Sequence, residues 1–149
     1  MSCAAAVAVQ ETFAEERILD NVAARSSQLF DALSALRKKP SVSPLILDVR
    51  GQGLMVGVEF AQAKSAAIAN DPFARSDAPK QLASRIATRC LDKGMLLLTT
   101  SIFETVRFIP PLNVSEQEMT EVSRCLHHLN FPHQLTNDRL GDSGVHYLL

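Results

Sequence analysis

Leu45-Ile46-Leu47-Asp48-Val49-Arg50, Gly51-Gln52-Gly53, Leu54-Met55-Val56-Gly57-Val58-Glu59-Phe60: these are two β-type runs divided by a short glycine turn. Apolar and β-branched residues favour extended backbone, and a glycine-bearing link of this length between two such runs signals a hairpin. Side chains alternate along a strand, so Leu54, Val56, Val58 and Phe60 share one side, the candidate core face. Gly51 and Gly53 lead into a strand rather than a helix. They therefore do not form a dinucleotide fingerprint, which needs a helix N-terminus beside the phosphates.

Upstream of the hairpin, residues 3–39 read as helix with a joint near Asp20, a residue able to cap the second piece. The stretch Cys3 to Val9 is small and apolar nearly all round, a composition that calls for enclosure on most sides. Beyond Asp20 the pattern is amphipathic: Val22, Leu29, Leu33 and Leu36 form one stripe, with Arg25, Gln28 and Asp31 away from it. Arg37-Lys38-Lys39 complements the dipole at the helix end, and Pro40 and Pro44 stop the helix.

Downstream, residues 61–76 form a polar, alanine-rich connection with a turn at Asn70-Asp71-Pro72. Lys80 to Asp92 reads as a helix with Leu82, Ile86 and Leu91 inside and Gly94 as its stop. Met95 to Thr99 reads as a short buried strand, and a second strand runs from Thr105 towards Pro110. Ser115-Glu116-Gln117-Glu118 is a capping box with Val114 and Met119 as its hydrophobic staple. Met119, Val122, Leu126 and Leu129 continue the inward stripe until Pro132, and residues 131–149 read as an irregular tail. The order helix, hairpin, helix, strand, strand, helix predicts a small sheet covered by helices: an α/β, or α+β two-layer, domain.

A chain of 149 residues has the size of one domain with a real core. Its 15 basic and 16 acidic residues give a net charge of −1, which steers it to neither nucleic acid nor anionic membrane. No apolar stretch reaches membrane-spanning length, and the N-terminus lacks the charged and hydrophobic regions of a secretory signal. Cys3, Cys90 and Cys125 lie in helical patterns and read as buried free thiols in a reducing compartment. His127, His128 and His133 have no carboxylate or cysteine to complete a metal set.

The candidate binding residue is Arg107. In Thr105-Val106-Arg107-Phe108-Ile109, Val106 and Phe108 face one way while Thr105, Arg107 and Ile109 face the other. An arginine on an otherwise apolar strand must reach water or meet an anion, because burying it unpaired is costly. Its planar fork matches a carboxylate in two parallel hydrogen bonds. The residues alone leave both readings open, a carboxylate grip or an edge-strand arginine in water.

Four stretches in order make the sequence resemble the C-terminal part of class III aminotransferases, the pyridoxal-phosphate enzymes that include 4-aminobutyrate and ornithine aminotransferases. Ser2-Cys3-Ala4-Ala5-Ala6 resembles the start of the family's long helix, and Val49 to Phe60 its R-G-x-G-L-x-x-G-x-E hairpin. Lys93 to Leu98 resembles its helix-to-strand passage, and Val106 to Leu112 the strand whose arginine binds the substrate carboxylate.

The resemblance implies the small C-terminal domain of a fold-type-I enzyme. It divides the chain into a linking helix at 1–39, the small domain at 40–130 and the tail at 131–149. It further implies Arg107 as the substrate-binding residue, an amino or ω-amino acid paired with a keto acid as substrates, and a homo-oligomer or association with a chain bearing the large domain. It leaves the compartment open between cytoplasm and mitochondrion. Pyridoxal phosphate is implied as cofactor, yet the family's Schiff-base lysine lies in its large domain. Lys38, Lys39, Lys64, Lys80 and Lys93 match no such context and read as surface residues.

The isolated chain is thus expected to be inactive and, with the apolar helix Cys3 to Phe13 bare, to self-associate. One departure concerns the loop before Arg107, where the family often carries glycines and this sequence reads Thr100-Ser101-Ile102-Phe103-Glu104: the bulk of Ile102 and Phe103 alters substrate access, and Glu104 is placed to pair with Arg107 when no substrate is bound. Two other functions remain open, a non-catalytic truncated paralogue serving as an interaction module and an α/β domain holding an acidic metabolite.

Overall fold

The computed structural model describes residues 2–64, 72, 74–75, 78–100 and 102–127. The two hairpin runs form β1 (Ile46–Gln52) and β2 (Met55–Phe60), paired antiparallel from Ile46 opposite Phe60 to Gln52 opposite Met55. Gly53 and Leu54 are left as the turn. Gly53 has φ 58°, the left-handed region that favours glycine. Gly51 is needed for a different reason: a Cβ there would lie 2.2 Å from the carbonyl oxygen of Met55, closer than any side chain tolerates.

On its other edge β2 pairs with β4 (Thr105–Phe108), which in turn pairs with β3 (Leu98–Thr99), giving an antiparallel sheet in the order β1-β2-β4-β3. One face is the core. Leu54, Val56, Val58, Phe60, Val106 and Phe108 are all buried there. They pack with Leu29, Leu33 and Leu36 of α2 (Ile18–Arg37), Leu82, Ile86 and Cys90 of α3 (Leu82–Leu91), and Met119 and Leu126 of α4 (Glu116–His127). The opposite face carries Arg50, Met55, Gly57 and Arg107 and is not covered by any described element. The two-layer α+β arrangement expected from the pattern is therefore present, with one side of the sheet bare.

The long N-terminal helix breaks earlier than expected. Helix α1 (Ser2–Glu15) ends in a turn, and Arg17 takes a left-handed conformation (φ 50°) before α2 begins. Asp20 is not the cap; it lies in the first turn of α2 and accepts a 2.7 Å hydrogen bond from Arg17 Nε. Nor do Arg25 and Gln28 point away from the core side. Gln28 Nε2 donates to the Glu116 carbonyl and to Thr120 Oγ1, and Arg25 donates to Gln28 Oε1, because α4 packs along this flank of α2. Asn21 donates to the carbonyls of Leu112 and Val114, tying α2 to the chain that leaves β4. Helix α1 has no buried residue, so Cys3 is exposed rather than buried.

Helix α4 begins with the expected capping box: the Ser115 N–H and Oγ donate to Glu118 Oε2, and the Glu118 N–H donates back to Ser115 Oγ. Val114 and Met119, the staple, are both buried. The hydrogen bonds from Ser115 hold the Glu118 carboxyl below its ordinary 4.5. A depressed carboxylate stabilises the fold above its ordinary value, and that contribution is lost as pH falls through the lowered one. Leu129, Pro132 and the tail lie outside the described residues.

Two apolar segments are less enclosed than their composition suggests. Leu91 is 58% exposed at the end of α3, and Ala83 and Cys90 take the inward positions with Leu82 and Ile86. Burial and the neighbouring Cys125 push the Cys90 thiol up to about 12. In the run expected to be a buried strand only Leu97 is buried, while Leu96 is 75% and Leu98 46% exposed. The run contributes two residues at the sheet edge, and an apolar run does not distinguish an enclosed strand from an edge over which nothing is packed.

Glu104 also departs from expectation. Gln81, at the N-cap of α3, is left-handed (φ 53°) and makes no side-chain cap. The missing acceptor comes from the loop before β4: Glu104 Oε2 takes the Ala83 N–H at 2.8 Å. A carboxylate at a helix N-terminus satisfies an orphan donor and complements the dipole, so Glu104 is committed to α3 instead of Arg107.

Two substitutions test these constraints. Gly51→Ala should lower stability by about 2 kcal/mol in denaturant unfolding, since the methyl must displace backbone. Glu104→Ala should cost about 1 kcal/mol and speed amide exchange in the first turn of α3; unchanged exchange there would rule out the capping role.

Candidate functional site

The site is built on the bare face of the sheet. Gly57 of β2 lies opposite Arg50 of β1 on one side and opposite Arg107 of β4 on the other, and Leu98 of β3 pairs with Arg107 in turn. Directly opposed residues project to the same face, so Arg50, Gly57, Arg107 and Leu98 form one row across all four strands. With neighbouring strands about 4.8 Å apart, the two arginine backbones stand roughly 10 Å from one another across the glycine.

The two guanidinium groups are in different states. Arg50 Nη1 pairs with Asp48 Oδ2 at 2.9 Å and with Glu59 Oε2. Glu59 and Asp48 raise the pKa of Arg50, and the hydrogen bond from Arg50 lowers that of Asp48. Asp48 and Glu59 together outweigh the charge of Arg50, leaving the three side chains at a net −1. Arg107 is exposed, and among the described residues it has no hydrogen-bond or ion-pair partner. The alternation expected for its strand holds for Val106 and Phe108 in the core and Arg107 and Ile109 outward, whereas Thr105, expected on the outward side, is buried.

Arg107 stands between two depressions. A cleft of about 450 Å³ lies on the Gly57 side, lined also by Arg50, Glu59, Thr100, Phe103 and Thr105. A smaller apolar groove of about 300 Å³ reaches Arg107 from the core side at the sheet edge, lined by Leu29, Leu97, Leu98, Phe108 and Met119 among others. The loop between β3 and β4 is a tight turn. Thr100 Oγ1 donates to the Phe103 carbonyl at 2.7 Å, and the Thr105 N–H donates to the same oxygen at 2.8 Å. This turn sets Phe103 as a wall of the cleft. Ile102, which the sequence reading placed at the entrance with it, is 80% exposed and does not line it.

Chemically, the cleft offers a free planar cation beside an open apolar and hydroxyl-bearing wall, suited to a carboxylate with a short carbon chain. It offers no lysine. Lys38, Lys64, Lys80 and Lys93 are exposed elsewhere, and Lys39 donates to the His127 carbonyl. The described residues therefore do not fit pyridoxal phosphate by themselves, since none of those lining the cleft could bond to its aldehyde. Sequence reasoning singled out Arg107 but passed over Arg50, Glu59 and Gly57 as parts of the same surface. The available signal was their alternation in the hairpin with the buried residues of β1 and β2.

Comparison with known proteins agrees with this architecture. The family described as aminotransferase class-III matches residues 1–129. The acetylornithine aminotransferase of Clostridium acetobutylicum is 36% identical over 120 residues, covering 80% of this chain and 25% of the relative. The 5-aminovalerate aminotransferase of Pseudomonas aeruginosa is 31% identical over 120 residues, with the same coverage. The omega transaminase of Pseudomonas jessenii, solved in complex with PMP, superposes with a TM-score of 0.62 at 25% identity, covering 78% of this chain and 23% of that one. The chain thus spans about a quarter of the length of the relatives it matches. Enzymes of this class use pyridoxal phosphate. With the family match running through the hairpin, the Arg107 strand and the helices behind them, the chain belongs to the class III aminotransferases.

Proposed function

We propose that this polypeptide is the substrate-anchoring part of a pyridoxal-phosphate-dependent aminotransferase, in which Arg107 holds the carboxylate of an amino or ω-amino acid or of the keto acid paired with it. One observation carries the reading: Arg107 is an exposed guanidinium without a partner among the described residues, at the rim of a cleft on the uncovered sheet face. The relatives named for acetylornithine and 5-aminovalerate act on substrates that carry a carboxylate at a distance from an amine, which favours the ω-amino class.

Arg107 acts by position. Two parallel hydrogen bonds from the guanidinium fix the carboxylate plane, and a fixed carboxylate orients the rest of the substrate towards whatever covers the face. Arg50 does not compete for the ligand, because Asp48 and Glu59 already occupy it. Glu104 does not neutralise Arg107, because it caps α3. Thr100 and Thr105 line the cleft, and Phe103 supplies its apolar wall.

Amino transfer itself needs a cofactor-bonding lysine from another stretch of protein, such as a chain carrying the large domain, so the isolated polypeptide is inactive. Purified protein mixed with pyridoxal phosphate and 5-aminovalerate should show no absorbance of a lysine–cofactor adduct and no amino transfer; turnover by this chain alone would overturn that part. In a titration followed by NMR, acetate should shift the resonances of residues 105–107, and Arg107→Ala should abolish the shifts while leaving the fold intact. Equal shifts in the variant would remove Arg107 from the site.

A further inference from the structure

Gly57 is a glycine that the backbone does not require. Its φ is not in the left-handed region, unlike that of Gly53. A Cβ built on it would meet nothing closer than the Arg50 carbonyl oxygen at 3.8 Å and Thr105 Cγ2 at 3.9 Å, both ordinary contacts, whereas at Gly51 it would strike backbone. Val56 and Val58, on either side, point into the core, so a side chain at 57 would project outward, into the cleft between Arg50 and Arg107. The absence of a side chain is therefore what keeps the space beside the Arg107 guanidinium open. On the other side of Arg107 the neighbouring position in the row is filled by Leu98.

We infer that Gly57 is a specificity-determining position: it is the open floor over which the carbon chain of an Arg107-bound carboxylate lies, and it sets how long a chain the cleft accepts. The inference rests on the carboxylate reading of Arg107 and adds to it a direction for the ligand and a residue that selects its length. A carboxylate with little beyond its charged group needs only the guanidinium. One with several methylenes needs the Gly57 floor as well. A methyl at this position trims the space, and a leucine fills the gap between the two arginines. Neither substitution removes a hydrogen bond, since the backbone pairing of β2 with β1 and β4 involves no side chain at 57.

The test is a pair of NMR titrations, with acetate and with pentanoate, on the wild-type chain, Gly57→Ala, Gly57→Leu and Arg107→Ala. Wild type should bind both acids and Arg107→Ala neither. Gly57→Leu should bind acetate within about twofold of wild type while pentanoate weakens about tenfold, the scale at which pockets sort ligands by a few methylenes. Gly57→Ala should fall between and keep the melting temperature of wild type. Pentanoate bound by Gly57→Leu as tightly as by wild type would overturn the inference while leaving Arg107 in place. So would parallel loss of both acids, which would mean a blocked guanidinium rather than sorting by length. Unfolding of Gly57→Ala would overturn it too, by showing that the glycine serves the backbone. Failure of acetate to bind wild type would instead remove the carboxylate reading, and this inference with it.

Discussion

Antiparallel pairing of Met55–Phe60 with a strand on each side is the constraint on which the rest of this molecule depends. Once β2 lies between β1 and β4, the alternation of side chains sends Val56, Val58, Phe60, Val106 and Phe108 to one face and Gly57, Glu59 and Arg107 to the other. The first face has to be buried, and α2, α3 and α4 bury it. A slip of one residue in either pairing would exchange the faces, placing valines in water and Arg107 in the core, at a cost the fold could not meet. Placement of the site and formation of the core are consequences of one register.

The helices depend on the sheet for more than apolar contact. Helix α3 starts from a left-handed Gln81 that contributes no cap, and the loop before β4 supplies the carboxylate of Glu104 to the amide of Ala83, 21 residues away in sequence. The same loop folds back on itself through Thr100 and Thr105 to set Phe103 at the cleft. Stability of α3 and shape of the site are therefore linked through one short segment. At the other end, Asn21 of α2 holds the carbonyls of Leu112 and Val114, fixing the path from β4 to the self-capped α4.

Charge is distributed with similar economy. Two arginines stand in one row, yet Asp48 and Glu59 engage only Arg50. Exposed pairs of this kind add little to stability, so their effect is chiefly to occupy one cation and keep acid side chains away from the other. Among the described residues Arg107 stays unpaired because the carboxylates of Glu59 and Glu104 have other partners: Glu59 has Arg50, and Glu104 has the amide of Ala83.

The sequence by itself determined the hairpin, the two-face alternation of the Arg107 strand, the capping box of α4 and the family to which these belong. Each is a local matter, decided by period-two patterning, glycine placement or a four-residue signature whose physics is complete within a few residues. What it did not determine required knowing what lies nearby in space. Helix α1 broke at Arg17 rather than near Asp20, Leu91 and Leu96 stayed exposed, and Arg25 and Gln28 entered the α2–α4 contact, because burial is set by neighbours distant in sequence. The partner of Glu104 and the place of Gly57 in a row of four strands were likewise tertiary facts. A carboxylate three residues from an arginine has equal local claim to that arginine and to any helix end within reach; only the packing of α3 beside β4 chose between them.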